Sequence, residues 1–197
     1  MTTATPNVLA DLLVLPRVLD RAHVRTATLV LGGALFTALC AQVTIHLGFT
    51  PVPITGQTFA VLAVGGLLGS RRAMASQALY WVLGAVGLPF YSSAKGGWSV
   101  ATGATFGYFV GFVVAAGIIG SFADRRESRN YLSSLAATAY ACGALWLAHK
   151  LGIPVATGEK NAISLGVSPF LVGDAIKMVL AATVAPLGWA AYYAKPR

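Results

Sequence analysis

Two charged residues, Asp174 and Lys177, lie inside an apolar stretch near the C-terminus of this 197-residue chain. At a spacing of three positions they share one face of a helix and are close enough to neutralise each other. Charge is costly in hydrocarbon, so residues of this kind usually face a polar cavity, a substrate or a charged partner. Two interpretations are open at this point: a ligand-binding site, and a structural ion pair that fixes the helix.

Uncharged polar and aromatic residues in the other apolar stretches give weaker candidates. Three glutamines could face a cavity or join neighbouring helices by hydrogen bonds: Gln42, Gln57 and Gln77. Four aromatic residues could stack on a ring-shaped ligand or belong to the core: Tyr80, Trp81, Tyr108 and Trp146. Taken singly, each of these side chains is more typical of packing between helices than of a binding site.

Two connecting segments, residues 50–55 and 87–99, differ from ordinary turns in composition. They combine glycine, proline, serine and aromatic residues, which suits close approach of the backbone to a ligand and a loop that moves. A pair of structural turns explains the same composition equally well, so these segments alone decide nothing.

Several motifs of catalytic chemistry are absent from the sequence. It contains no GxxxxGK[ST] motif for nucleotide phosphates, no HExxH and no GxSxG. Cys40 and Cys142 lie in apolar segments and form no CxxC motif, so they are interpreted as packing residues. The sequence therefore predicts a protein that is not an enzyme and that needs no metal and no cofactor.

The composition indicates a membrane protein. Hydrophobic residues make up 56% of the chain and charged residues only 10%, against roughly 25% charged in soluble domains. So few charges cannot cover the surface of a soluble globule of this size, which argues against a soluble enzyme. No basic helix carries interleaved aromatic residues, which argues against a nucleic-acid partner. The lipid bilayer is the expected environment.

Apolar stretches and turn signals divide the chain into six predicted transmembrane helices. Their expected ranges are 24–47, 55–69, 73–87, 101–123, 131–151 and 169–193. The predicted fold class is all-α and integral to the membrane. Residues 24–197 are expected to form one six-helix transmembrane domain, and residues 1–23 are interpreted as an interfacial or disordered segment.

The distribution of Lys and Arg predicts the orientation of these helices. With the N-terminus inside, ten positive residues lie on the cytoplasmic side: Arg17, Arg21, Arg25, Arg71, Arg72, Arg125, Arg126, Arg129, Lys195 and Arg197. Three lie outside: Lys95, Lys150 and Lys160. Positive residues are enriched in cytoplasmic loops, so both termini are expected in the cytoplasm, with the chain a multi-pass protein of the plasma membrane.

Small residues recur at the spacing that lets helices approach closely. Gly103, Gly107 and Gly111 form GxxxGxxxG, which we interpret as a packing face within the chain. Ala34 and Ala38 form AxxxA on the first predicted helix. For this pair, internal packing and contact with another subunit are both open.

Four sequence segments in order resemble the BioY family, the biotin-specific S components of energy-coupling factor transporters. The segments are PVPITGQTFAVL at 51–62, Gly87-Leu88-Pro89, Gly107-Tyr108 with Gly111-Phe112, and Pro169-Phe170-Leu171 with Gly173-Asp174 and Lys177. The resemblance covers about residues 24–186. It implies a six-helix membrane fold with both termini inside, in agreement with the charge pattern.

The resemblance also implies a biotin pocket that faces outward, beneath the loops between the first and second and the third and fourth helices. The candidate ligand-binding residues are Asp174, Lys177, Tyr108, Lys95, Gly96, Gly97 and Gln57. Lys95 stands where the family more usually has a small or amide residue, and Phe109 where some members carry a basic one. A basic group has then moved from the helix to the loop.

The implied function is high-affinity capture of biotin for uptake. The implied partners are a transmembrane coupling subunit and two cytoplasmic ATPase subunits, with Ala34 and Ala38 on the docking face. The alternative function is an ion-coupled secondary transporter of another small solute or vitamin.

Overall fold

Six long helices form the body of the molecule. The computed structural model describes residues 8–12, 21–125 and 131–193. The long helices are α1 (Ala22–Gln42), α2 (Gln57–Leu68), α3 (Ser70–Ala85), α5 (Phe106–Asp124), α6 (Tyr131–Leu151) and α8 (Leu171–Tyr193). Two short helices, α4 (Trp98–Ala101) and α7 (Ala162–Gly166), lie in the connections. The expected all-α fold is confirmed.

Apolar helices with apolar outer faces confirm the membrane class. Among the described residues, three segments are long and apolar enough to cross a bilayer: Ala22–Gln42, Phe106–Asp124 and Ala162–Ala181. On α8, the side chains of Val172, Ile176 and Val179 are exposed, whereas Asp174 points inward. An apolar face of this kind suits lipid. The count of six spans remains a prediction.

The first helix ends five residues earlier than expected. It stops at Gln42 instead of residue 47, because the β-branched run Val43-Thr44-Ile45 favours extended backbone. Strand β1 (Thr44–Ile45) pairs antiparallel with β2 (Ile54–Thr55), with Thr44 opposite Thr55. This small hairpin replaces the expected first turn of the second helix and fixes the approach to α2.

The fourth predicted span is also interrupted near its start. The short helix α4 ends at Ala101, and α5 begins only at Phe106. Thr102 and Gly103 between them are poor helix formers, and the Thr102 hydroxyl bonds to the carbonyl oxygen of Trp98 at 2.9 Å. The break places Thr105 beside the cavity described below.

Helices α5 and α6 pack closely through glycines, which confirms the internal packing expected of this face. A Cβ atom at Gly107 would lie 2.3 Å from the carbonyl oxygen of Cys142. At Gly111 it would lie 2.6 Å from the Cα atom of Ala139. Backbones this close leave no room for any side chain at either position.

The structure corrects the assignment of Ala34 and Ala38 to a docking face. Ala34 has no exposed surface and Ala38 is 7% exposed. Both alanines belong to the core cluster of the chain. A side chain without accessible surface cannot contact another subunit, so the AxxxA pair serves internal packing.

Part of the N-terminal segment is folded onto the helices. A 3-10 helix, Leu9–Leu12, brings Asp11 to within 2.7 Å of the Arg72 guanidinium. The Arg25 side chain donates to the carbonyl oxygens of Ala10 and Asp11 at 3.0 and 2.7 Å. Residues 1–7 and 13–20 of the predicted 1–23 segment lie outside the described residues, as do Arg126, Arg129, Lys195 and Arg197.

Candidate binding site

A cavity of about 630 Å³, counting its open mouth, lies among α2, α5, α6 and α8. The segments that precede α2 and α4 also contribute to its lining. Its aromatic lining consists of Tyr91, Tyr108, Phe109, Phe112, Tyr140 and Phe170. Its polar lining includes Thr55, Gln57, Thr58, Asp174 and Lys177. Apolar walls with a few convergent polar groups are typical of small-molecule sites.

Asp174 is the centre of the polar group. Its side chain is 5% exposed. One carboxylate oxygen, Oδ1, accepts from the Thr58 hydroxyl at 2.9 Å and from the Lys177 ammonium at 2.7 Å. The other oxygen, Oδ2, accepts from the Tyr140 hydroxyl. The expected i, i+3 pair is therefore present, and two further elements hold it.

Lys177 uses all three of its N–H donors within the chain. Its Nζ atom donates to the backbone carbonyl oxygen of Thr55 at 2.6 Å, to Asp174 and to the Thr58 hydroxyl at 3.3 Å. The β2 strand therefore has a direct function at the site, because it presents the Thr55 carbonyl to the ammonium. The pair is neutral as a unit, and both of its members line the cavity.

One hydrogen-bonding position of this network is unoccupied by protein. A carboxylate has about four acceptor positions, and three of those on Asp174 are used. Since two lie at Oδ1, the remaining position is at Oδ2, which Tyr140 shares. The site can accept one N–H donor from a ligand, and the negative charge of the carboxylate strengthens such a bond.

Tyr108 and Gln57 line the cavity, and most of their polar groups are hydrogen-bonded to other residues of the chain. The Tyr108 hydroxyl donates to the carbonyl oxygen of Gly166 at 2.6 Å. The Gln57 amide donates to the Tyr80 hydroxyl and accepts from the Thr55 hydroxyl, both at 2.7 Å. Tyr108 therefore offers its ring face to the cavity, and Gln57 retains one N–H donor.

Tyr91 and Phe109 form a stacked pair in the cavity wall. Their ring centroids are 4.9 Å apart with an interplanar angle of 27°. The Tyr91 hydroxyl donates to the carbonyl oxygen of Trp81 at 2.6 Å. Burial raises the pKa of Tyr91 to about 12, so this phenol stays protonated at neutral pH and retains its hydrogen bond.

Lys95, Gly96 and Gly97 lie beside the cavity and do not line it. They belong to the segment between α3 and α4, residues 86–97, here named the α3–α4 loop. Gly96 packs against the carbonyl oxygen of Leu88, where a Cβ atom would lie only 2.3 Å away. Gly97 has φ of 99° and donates its N–H to Gly84. These glycines shape the loop, and the exposed Lys95 remains a predicted ligand contact.

Sequence reasoning missed three polar contributors to the site. Thr55 and Thr58 flank the expected Gln57, and Tyr140 comes from the middle of α6. A threonine next to a predicted site glutamine is a weak indication of a binding residue, whereas a tyrosine in an apolar helix gives no such indication. Among the residues that the structure describes, no group of three or more His, Cys, Asp or Glu could hold a metal ion.

Comparisons with known proteins agree with one another. The model of the BioY family matches residues 14–194. The biotin transporter BioY of Thermotoga maritima is 37% identical over 174 residues, which cover 86% of this chain and 94% of the relative. The biotin transporter BioY of Rhodobacter capsulatus is 34% identical over 177 residues, which cover 82% and 91%.

A solved structure shares the fold. The crystal structure of an S-component for biotin from an ECF-type ABC transporter superposes with a TM-score of 0.72. The two chains are 26% identical, and the match covers 84% of this chain and 91% of that one. Because the family match extends over most of its length, this chain belongs to the BioY family.

Proposed function

We propose that the cavity among α2, α5, α6 and α8 is the biotin site of an S component of an energy-coupling factor transporter. Relatives that align over most of this chain are named biotin transporters, and the similar solved structure is a biotin S-component. The chain is accordingly a subunit for biotin uptake and not an enzyme. The observation that carries the assignment of the site is the buried Asp174–Lys177 pair in an aromatic cavity.

The hydrogen-bonding capacity of this pair suits the ureido ring of biotin. That ring offers two N–H donors and one carbonyl acceptor, and Asp174 Oδ2 has one acceptor position left beside Tyr140. The function of Lys177 is then to hold Asp174 ionised, because its own donors are all used within the chain. The free N–H of Gln57 is available for the ligand carbonyl.

The aromatic walls suit the fused rings and the alkyl chain of the same ligand. The ring of Tyr108 and the stacked pair Tyr91–Phe109 present flat apolar faces to the cavity. Burying a ligand against such faces removes apolar surface from water and leaves the polar edge to Asp174. Lys95, on the α3–α4 loop next to Tyr91, is proposed to meet the ligand carboxylate at the mouth.

The proposed partners are a transmembrane coupling subunit and two cytoplasmic ATPases, in the plasma membrane. The sequence has no nucleotide-binding motif, so energy for uptake has to come from another chain. Since Ala34 and Ala38 are buried, docking through α1 would use its exposed face. That face carries Gly32, Leu35 and Leu39.

The site assignment is tested by removing both charges together. Losing one partner of a buried pair costs about 3–5 kcal/mol whether it binds ligand or only braces the helix. The double variant Asp174→Asn, Lys177→Met avoids this ambiguity. We expect it to elute as a monodisperse species and to bind biotin about 10- to 100-fold more weakly by isothermal titration calorimetry, because the one charge-assisted contact from Asp174 to the ligand, of about 1.5–3 kcal/mol, is lost.

A second ion pair provides the matched control. Asp11 and Arg72 form a bridge of the same 2.7 Å length and do not line the cavity. The variant Asp11→Asn, Arg72→Met should retain biotin affinity within about twofold, since no lining group changes. A folded Asp174, Lys177 double variant with normal affinity would show that the pair is only a brace. Wild-type protein that gives no heat with biotin would instead favour another small solute.

A further inference from the structure

The α3–α4 loop forms one wall of the cavity through Tyr91 and Ser92. Tyr91 is 2% exposed and anchors the loop. Its ring packs so closely on Gly84 that a Cβ atom there would lie 2.3 Å from the ring. Beyond Tyr91 the loop turns back, and the Tyr91 N–H donates to the carbonyl oxygen of Lys95 at 2.9 Å. The wall therefore depends on how the four residues after Tyr91 are held.

The turn contains two adjacent residues in an unfavourable backbone conformation. Ser93 has φ of 60° and ψ of 37°, and Ala94 has φ of 54°. Left-handed backbone is costly for residues other than glycine, because the Cβ atom crowds the following carbonyl oxygen. The turn is therefore not the conformation that these residues adopt by themselves, and other contacts have to stabilise it.

Two side chains from outside the loop contact this turn: the His46 Nε2 atom lies 3.5 Å from the Ser93 hydroxyl, and Gln42 makes the larger set of hydrogen bonds. Gln42 is the last residue of α1. Its Nε2 atom donates to the carbonyl oxygen of Ala38 in α1 at 2.9 Å and to those of Phe90 and Tyr91 in the loop at 3.3 and 3.2 Å. Its Oε1 atom accepts from the N–H of Ala94 at 2.9 Å. A single amide thus binds the chain on both sides of the strained turn.

The hydrogen bonds of Gln42 are well suited to reversible release. Gln42 is an exposed residue, so water competes for its donors and acceptor. Hydrogen bonds in contact with water contribute little net stability, and the strain of two left-handed residues opposes them. Open and closed forms of the loop should therefore lie close in free energy, with Gln42 deciding which one prevails.

We propose that Gln42 is the latch of the binding site: its amide holds the α3–α4 loop closed against the cavity, and its release lets Ser93 and Ala94 relax and the ligand pass. Gln42 is a positioning residue, because it acts on the ligand only through the loop. This inference rests on the proposed function, since the ligand that passes is taken to be biotin.

The test compares dissociation rates of radiolabelled biotin from purified protein in nanodiscs. Gln42→Met retains the side-chain length and removes the donor and the acceptor. We expect it to release biotin at least 10-fold faster than wild type. Gln42→Glu retains the acceptor for the Ala94 N–H and loses the donor, so its rate should be intermediate. Equal rates for folded wild type, Gln42→Met and Gln42→Glu would overturn the latch.

Two further variants separate a latch from a general loss of stability. Gln77 is buried in the bundle, does not line the cavity, and donates to the Thr37 hydroxyl at 3.1 Å. Gln77→Met should leave the dissociation rate within twofold of wild type. Adding Ala94→Gly to Gln42→Met should restore slow release in part, because glycine adopts positive φ without strain. Failure of this rescue would contradict the importance of the strained turn.

A measurement on the ligand-free protein tests the latch separately from the proposed function. Hydrogen–deuterium exchange of the ligand-free protein should be at least 10-fold faster in residues 90–97 of Gln42→Met than in wild type. Residues 106–124 of α5 should be unchanged. If the loop opens in this way but wild type does not bind biotin, the latch stands and the proposed function fails. Unchanged exchange in residues 90–97 overturns the latch whatever the ligand.

Discussion

Lys95 carries the single charge of the α3–α4 loop, and its environment suggests a specific contact. It is exposed, and its backbone is bridged to Tyr91, which lines the cavity. Among the described residues, the cation in the cavity lining is Lys177, whose three N–H donors are all used. A ligand with a terminal carboxylate therefore finds no free cation inside and has to meet one at the mouth.

We predict that Lys95→Met weakens binding of biotin by about 5- to 10-fold and leaves binding of biotin methyl ester unchanged. An exposed charge contact contributes about 1 kcal/mol, which corresponds to this factor, and the ester has no charge to lose. Calorimetric titration of the same purified protein with both ligands measures the difference.

Lys160→Met is the matched control, because Lys160 is an exposed lysine in the connection between α6 and α7. It should change neither affinity. Equal weakening of acid and ester by Lys95→Met would mean that Lys95 shapes the loop and does not contact the carboxylate.

At the scale of single elements, α1 has one face that can accept larger side chains and one that cannot. Ala34 is fully buried, and a larger side chain there would overpack the core. Gly32, two positions earlier, faces open space, and a Cβ atom there meets no other atom within 4 Å. The same substitution should therefore have very different effects at these two positions.

We predict that Ala34→Trp lowers the melting temperature of the isolated subunit by at least about 5 °C, since overpacking costs about 1–3 kcal/mol or more. Gly32→Trp should leave the melting temperature within about 2 °C of wild type. Fluorescence-detected size-exclusion chromatography after heating measures both. An Ala34→Trp protein with normal stability that no longer co-purifies with a coupling subunit would return this alanine to the docking face.

The sequence predicted elements better than it predicted their ends and contacts. Long apolar stretches separated by proline and charge predict the six long helices, because backbone polar groups in lipid have to be satisfied within a helix. The β-branched run at 43–45 is a weak local signal for the end of α1 at Gln42. The pairing of Thr44 with Thr55 that fixes this end is a tertiary contact and leaves no local period in the sequence. For the same reason the direction of Ala34 could not be read from the AxxxA spacing.

In the site, too, the residues with a local sequence signal could be predicted, and those that depend on contacts between distant segments could not. Asp174 and Lys177 were predictable, because charge within an apolar helix is costly and their spacing places them on one face. Tyr140 was not, since its contact with Asp174 joins α6 to α8 and nothing local distinguishes it from other aromatic residues. Gln42 was predictable only in part. The sequence made it a candidate for hydrogen bonds between helices, whereas the structure shows it bound to the α3–α4 loop.

At the scale of the whole molecule, the described charges outside the cavity divide between two ends. Arg25 and Arg72 meet at Asp11, and Asp124 at the end of α5 accepts from the N–H of Ser70 at the start of α3. Lys95 lies in the α3–α4 loop, which Gln42 binds at the opposite end of α1. This separation agrees with the sequence prediction of a basic cytoplasmic end, and it places the mouth of the cavity on the side that is expected to face outward.

We predict that the connection between α6 and α7 is accessible from outside intact cells and that the junction of α2 and α3 is not. In a chain with Cys40 and Cys142 replaced by alanine, a cysteine at Thr157 should react with a membrane-impermeant maleimide added to whole cells. A cysteine at Arg71 should react only after the cells are opened. Both positions are exposed on the protein, so a difference in labelling reports the side of the membrane and not burial. Labelling of the Arg71 position in intact cells, with protection of the Thr157 position, would reverse the orientation and direct the cavity toward the cytoplasm, where a subunit for uptake could not capture its ligand.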